Sequence, residues 1–219
     1  VPVNKKVTYG NMICDFRPLK LEKYRMSLTV GGDRLDYLGN QSSPAASLLE
    51  TKMLLNSVIS DAKNGARFMT MDLKDHFLQS TLTDPQYMRI HSKYFFQDIR
   101  AKYNIDDIIA SDGYVYCKII KGMYGLKEAA MLARNKIIEI LKPLGYYPDI
   151  HAPNIWCHKT RRTKFILCVD DFGVKYYSKE DVDHLKAALQ QVYDVTTDDS
   201  GQNYCVLSLL WDYKAGHVD

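Results

Sequence analysis

The sequence predicts a mixed α+β fold, an antiparallel sheet backed by helices on one face. Three observations lead there. Stretches with a helical apolar period alternate with short strand-like runs. Two of those runs, 165–169 and 172–177, flank the adjacent aspartates Asp170 and Asp171 and read as a hairpin with two carboxylates at its tip. A third run, 67–71, ends in another carboxylate, Asp72. The order strand, helix, strand pair, helix, strand fits a split βαβ core.

Taken in order, residues 1–40 are polar with strand-like fragments, broken at Gly31-Gly32-Asp33. A first helix is expected over 44–63, with Pro44 at its start, an apolar face including Leu48, Leu54 and Val58, and Asn64-Gly65 as the stop. The strand carrying Asp72 follows. A polar stretch, 82–112, carries no assigned element, then a strand is expected over 113–120 and a glycine-containing turn over 121–125. A second helix is expected over 127–144, closed by Gly145. Further strands are expected near 154–159 and in the Asp170 hairpin, a third helix over 180–193, and a terminal strand or hairpin over 203–218.

Composition excludes several classes. Of 219 residues, 46% are hydrophobic and 25% charged, the balance of an ordinary globular chain with no disordered tail. No stretch approaches the roughly 20 apolar residues of a membrane span, so no membrane partner is expected. The ends, Val1-Pro2 without an initiator Met and a stop at Val218-Asp219, read as those of a segment of something longer. Five cysteines, widely spaced and mostly within apolar runs, suggest buried thiols in a reducing compartment rather than disulfides or a zinc site. A net charge of +3 does not by itself indicate nucleic acid. Two basic clusters stand out: Lys159, Arg161, Arg162 and Lys164 before the hairpin, and Lys118, Lys121 and Lys127 around the glycine turn. Each is open to two readings, a solvated loop or a phosphate contact.

The three aspartates carry the chemistry. Like carboxylates a few ångströms apart repel unless a cation neutralises them, which makes a divalent metal their natural occupant. Hard oxygen ligands held by neighbouring strands suit Mg²⁺ ions about 4 Å apart in two-metal phosphoryl transfer. Each aspartate also has a plain structural reading: a helix N-cap for Asp72 or Asp75, and a simple turn for Asp170-Asp171.

Read together, three segments resemble the reverse transcriptase of copia-type long-terminal-repeat retrotransposon polyproteins over nearly the whole chain. They are 67–77 (Arg-Phe-Met-Thr-Met-Asp-Leu-Lys-Asp-His-Phe, the A motif), 121–129 (Lys-Gly-Met-Tyr-Gly-Leu-Lys-Glu-Ala, the B motif) and 168–171 (Cys-Val-Asp-Asp, the C motif). The stretch 24–32 resembles the family's fingers segment and 204–213 its primer grip. The resemblance implies a right-hand polymerase fold with fingers at about 1–66 and 82–120, palm at 67–81 and 121–219, and no thumb. It implies an RNA-directed DNA polymerase in which Asp72, Asp170 and Asp171 are catalytic and hold two Mg²⁺ ions, Mn²⁺ being an alternative, with the Leu73 carbonyl on the metal that carries the triphosphate. Lys20, Arg25, Asp75, Phe77 and Gly125 would contact the deoxynucleotide, Phe77 as the steric gate against a 2′-hydroxyl. Lys127, Tyr204 and Leu207 would contact template or primer. The implied partners are an RNA template, a DNA or tRNA primer, deoxynucleotides, and the thumb and ribonuclease H of the same polyprotein. The implied location is intracellular, in a cytoplasmic virus-like particle.

The pattern departs from the family in four places. Cys168 stands where an aromatic is usual, Glu128 where Gln is common, Ser27 where a basic residue is frequent, and Val206 where the grip carries Gly. These departures leave two rivals to a working polymerase. One is a catalytically silent palm that only binds nucleic acid. The other is a different two-metal enzyme such as a nucleotide cyclase, which leaves Phe77 and the 122–127 turn unexplained.

Overall fold

The structure, a computed structural model, describes residues 1–219 except 17, 19–22, 38 and 40–45. In chain order the elements are β1 (Val7–Phe16), β2 (Tyr24–Val30), α1 (Leu48–Ser60), β3 (Arg67–Lys74), β4 (Thr81–His91), α2 (Gln97–Tyr103), β5 (Tyr114–Lys121) and α3 (Ala129–Leu141). There follow β6 (Tyr146–Pro148), β7 (Ile155–His158), β8 (Lys164–Cys168), β9 (Asp171–Tyr176), α4 (Lys179–Gln190) and β10 (Asp194–Asp198). Two short hairpins end the chain: β11 (Asn203–Tyr204) with β12 (Leu207–Ser208), and β13 (Trp211–Asp212) with β14 (His217–Val218). The fold is mixed α+β.

The chain forms two compact units, one from 1–41 and 80–133, the other from 42–79 and 134–219. The first holds a four-stranded sheet in the order β2-β1-β4-β5, in which β1 and β4 run parallel and the other pairs antiparallel. The polar stretch after Leu82 is therefore strand and helix. Its β4 buries only Leu82, Met88 and Ile90, and the ladder shifts register between Thr81 and Gln86, around Pro85.

The second unit holds a six-stranded antiparallel sheet in the order β10-β3-β9-β8-β7-β6. Alternation along β3 sends Met69, Met71 and Leu73 to one face, where they pack with Ile137 and Leu141 of α3 and Val182, Leu185 and Leu189 of α4. Phe68 points the other way, into a second core with Leu54, Leu55 and Val58 of α1 and with Ile166 and Tyr204. Helices thus cover both faces, not one. The reason is that β8 is apolar on both sides, with Phe165 and Leu167 on one and Ile166 on the other, and that β3 adds Phe68 to the second face. Residues 42–66, expected in the fingers, fall in this second unit.

Local chemistry fixes the helix starts. Ser47 caps α1 in a reciprocal capping box with Glu50, whose carboxylate also accepts from Asn154 Nδ2 at 3.0 Å. The expected start at Pro44 lies outside the described residues. Ser178 caps α4 by accepting from the Asp181 amide. The cysteines correct the composition-based expectation: Cys157 is buried, Cys117 and Cys168 are half-buried, and Cys14 and Cys205 are exposed.

Candidate active site

The carboxylates sit where β3, β8 and β9 adjoin in the second unit. In the antiparallel register Asp72 lies directly opposite Asp171, and Cys168 opposite Asp171 on the other side. The connection between β8 and β9 is therefore the two-residue loop Val169-Asp170. Asp171 is the first residue of β9, whereas the sequence had put both carboxylates at the tip. The Leu73 amide donates to the Asp170 carbonyl at 3.1 Å, which ties the loop to the end of β3. Asp72 is a paired strand residue, so the helix-cap reading does not apply to it.

The loop has an unfavourable backbone. Val169 has φ +61°, a left-handed conformation that a β-branched side chain rarely adopts. It takes the place a glycine fills in a tight hairpin, and the sequence offers none before Gly173. Asp75, just past β3, is also left-handed at φ +54°, and its carbonyl accepts from the Leu78 amide at 2.9 Å. Asp75 is exposed.

Behind the loop lies a group that sequence reasoning missed. His76 is 4% exposed, its Nδ1 has no hydrogen-bond partner, and its ring packs against Phe77 and Tyr193. Burial lowers its pKa to about 4, against a smaller opposing pull from the negative charge of Asp170. Phe77, expected as the steric gate, is itself buried at 7% exposure. In the sequence, His76 is masked by its place between a charged run and an aromatic.

The hairpin of β11 and β12 sits against the opposite face of the sheet, the one that carries Phe68 and Ile166. A Cβ on Gly173 would come within 3.1 Å of the Tyr204 ring, so Gly173 makes room for it. Tyr204 is 2% exposed, stands edge-on to Phe68 and donates to the Ile166 carbonyl at 3.4 Å. Its ring is a core element that carries the hairpin, not a surface contact. Leu207 pairs with Tyr204 and packs on the same core, while Val206 at the tip is 97% exposed.

The remaining expected site residues belong to the first unit. Arg25 is on β2, exposed, opposite Asp15 of β1. Gly125 has φ +98°, and a Cβ there would lie 1.9 Å from the Val30 carbonyl oxygen, so the close backbone approach alone demands glycine. The turn is pinned by the Val30 amide donating to the Tyr124 carbonyl at 2.8 Å. Lys127 Nζ donates to the Leu35 carbonyl at 2.9 Å. Glu128 is buried, and burial with the charge of Asp84 pushes its carboxyl up. Lys20 lies outside the described residues.

Asp72 and Asp171 face each other at one end of the sheet, and Asp170 lies in the adjoining loop. Among the described residues, no three His, Cys, Asp or Glu side chains converge closely enough to cage an ion. No described helix is long and apolar enough to cross a membrane. The chain matches no protein-family model, and no curated protein matches it.

Proposed function

We propose that the chain is an RNA-directed DNA polymerase domain of the retrotransposon type, comprising fingers and palm. The observation that supports this best is the register that sets Asp72 opposite Asp171, with Asp170 in the adjoining loop and bonded through its carbonyl to Leu73. Carboxylates on neighbouring paired strands are held more rigidly than any loop would hold them.

In this reading Asp72, Asp170 and Asp171, with the Leu73 carbonyl, would hold Mg²⁺. The chemistry that two such ions supply is a lowered pKa at the primer 3′-hydroxyl and stabilisation of the pyrophosphate leaving group. The chain contributes position and charge and no nucleophile of its own. Template RNA, primer and deoxynucleotide are the partners, with Arg25 and Lys20 assigned to the triphosphate and Lys127 to the template. Phe77, buried just beyond β3, would be the steric gate against a 2′-hydroxyl.

The test is primer extension on an RNA template with Mg²⁺ and deoxynucleotides, comparing the chain with Asp170→Asn. Extension that falls by at least about 100-fold in the variant supports the polymerase. Template binding without extension in either protein rejects it in favour of a nucleic-acid scaffold, and product from nucleotide alone, without primer, points to a cyclase.

A further inference from the structure

The basic cluster at 159–164 does not serve the carboxylates. It lies at the opposite end of β8 from the Asp170 loop, and four residue steps along that strand separate Lys164 from Cys168 by about 13 Å. There it borders a cavity of about 440 Å³ within the second unit, between α1, the β6–β7 hairpin and the starts and ends of β8 and β9. That volume is in the range of small-molecule sites, roughly 300–1,000 Å³.

We propose that this cavity binds a small phosphorylated ligand of mononucleotide size. Four cations (Arg161, Arg162, Lys164 and Lys175) line it against two carboxylates, Asp61 and Asp149. Two of the cations are already committed. Lys175 Nζ is bonded to Asp61 at 2.6 Å and to the Ser57 carbonyl at 2.7 Å, and Arg161 is paired with Asp181 at 3.3 Å. Arg162 and Lys164 supply the remaining positive charge. The Arg162 guanidinium lies 3.6 Å from the centre of the Tyr177 ring and hydrogen-bonds that side chain, which fixes its charge at the cavity wall.

Between these two cations sits Thr163, a residue of the cavity wall that is 1% exposed and whose hydroxyl is buried with no hydrogen-bond partner. Tyr147, 44% exposed on the cavity wall, offers a flat face for a base. Asp149, which accepts from the His151 amide at 2.9 Å, presents its carboxylate as an acceptor for sugar hydroxyls rather than for phosphate.

The experiment titrates the chain, with chelator present to exclude metals, with adenosine monophosphate, inorganic phosphate and adenosine in turn, by calorimetry. Adenosine monophosphate should bind, at least tenfold more tightly than adenosine. The double variant Arg162→Met with Lys164→Met should weaken it at least tenfold, and Asp170→Asn not at all. Three results overturn the proposal: no binding of either phosphate at millimolar concentration, adenosine binding as tightly as its monophosphate, or binding that follows Asp170→Asn instead of the basic pair. Because Asp170→Asn is the variant that also tests the polymerase, the two readings fail independently.

Discussion

The two ends of the β8–β9 ladder are built from the same pair of strands and are opposite in character. At one end, Val169 is left-handed and Asp171 faces Asp72 across the ladder, like charge against like charge. At the other, the Lys175 side chain, 5% exposed, sits between Ser57 and Asp61, and the Tyr177 hydroxyl donates to the same carboxylate at 2.6 Å. The second end ties α1 to the sheet across more than a hundred residues of sequence, with the Lys175 ammonium paired to Asp61. A saturated polar network of that kind fixes one arrangement of helix on sheet. The first end holds charge and strain that the fold does not need. Strain and concentrated charge of this sort collect where a protein acts on something else.

Removing charge from the two ends should therefore have opposite signatures. The largest effect expected is on turnover: Asp72→Asn should reduce primer extension about 1,000-fold, close to 4 kcal/mol of barrier. Its urea unfolding midpoint should hold or rise, since a like-charge neighbour is lost. A variant that unfolds early instead would mean that the carboxylates are structural, and the contrast between the ends would collapse.

The next effect is on pH. His76 is neutral when folded, with its pKa lowered from 6.5 to about 4. The unfolded chain takes up the proton first, so stability is complete above pH 6.5 and is lost as pH falls towards 4. By pH 4 the loss should reach about 3 kcal/mol. His184, also lowered chiefly by burial, adds a fall of the same sign. Denaturation series at pH 7, 5.5 and 4.5 should show His76→Leu flattening most of this slope. A slope unchanged in that variant would place the proton uptake elsewhere.

At the other end, Asp61→Ala strands the buried Lys175 ammonium without its counter-ion. Such a loss costs about 3–5 kcal/mol when both partners are buried. Asp61 is 39% exposed, so water will replace part of it and about 2 kcal/mol is expected, with no change in extension per folded molecule. Lys175→Met should cost less than Asp61→Ala, because it removes the buried charge along with its need for a partner.

These contrasts were unequally visible in the sequence. The hairpin was legible because 165–169 and 172–177 are apolar runs around a polar break, and β3 because its aspartate ends a similar run. What one chain cannot display is pairing: Asp72 meets Asp171 only because β3 lies beside β9, and Lys175 meets Asp61 only because α1 packs across that sheet face. The β4 strand was hidden because it buries few residues and carries Pro85, and α2 because it buries none among its seven. Tyr204 resembled a surface grip residue, yet Gly173 opens a space that takes its ring into the core. The basic cluster was legible as charge, while its distance from the carboxylates needed the direction of β8.

The smallest effect is the most specific test of strain at the first end. A left-handed backbone costs a residue with a Cβ about 1–2 kcal/mol, and a β-branched one is at the unfavourable limit. Val169→Gly removes that cost and loses little packing, since the Val169 side chain is 44% exposed. It also adds about 0.5–1 kcal/mol of chain entropy to the unfolded state. The net expectation is a gain of under about 1 kcal/mol in urea unfolding. If extension falls while stability rises, the strained valine is holding Asp170 in its working position. If both rise together, the strain is incidental and the register of Asp72 with Asp171 alone positions the carboxylates.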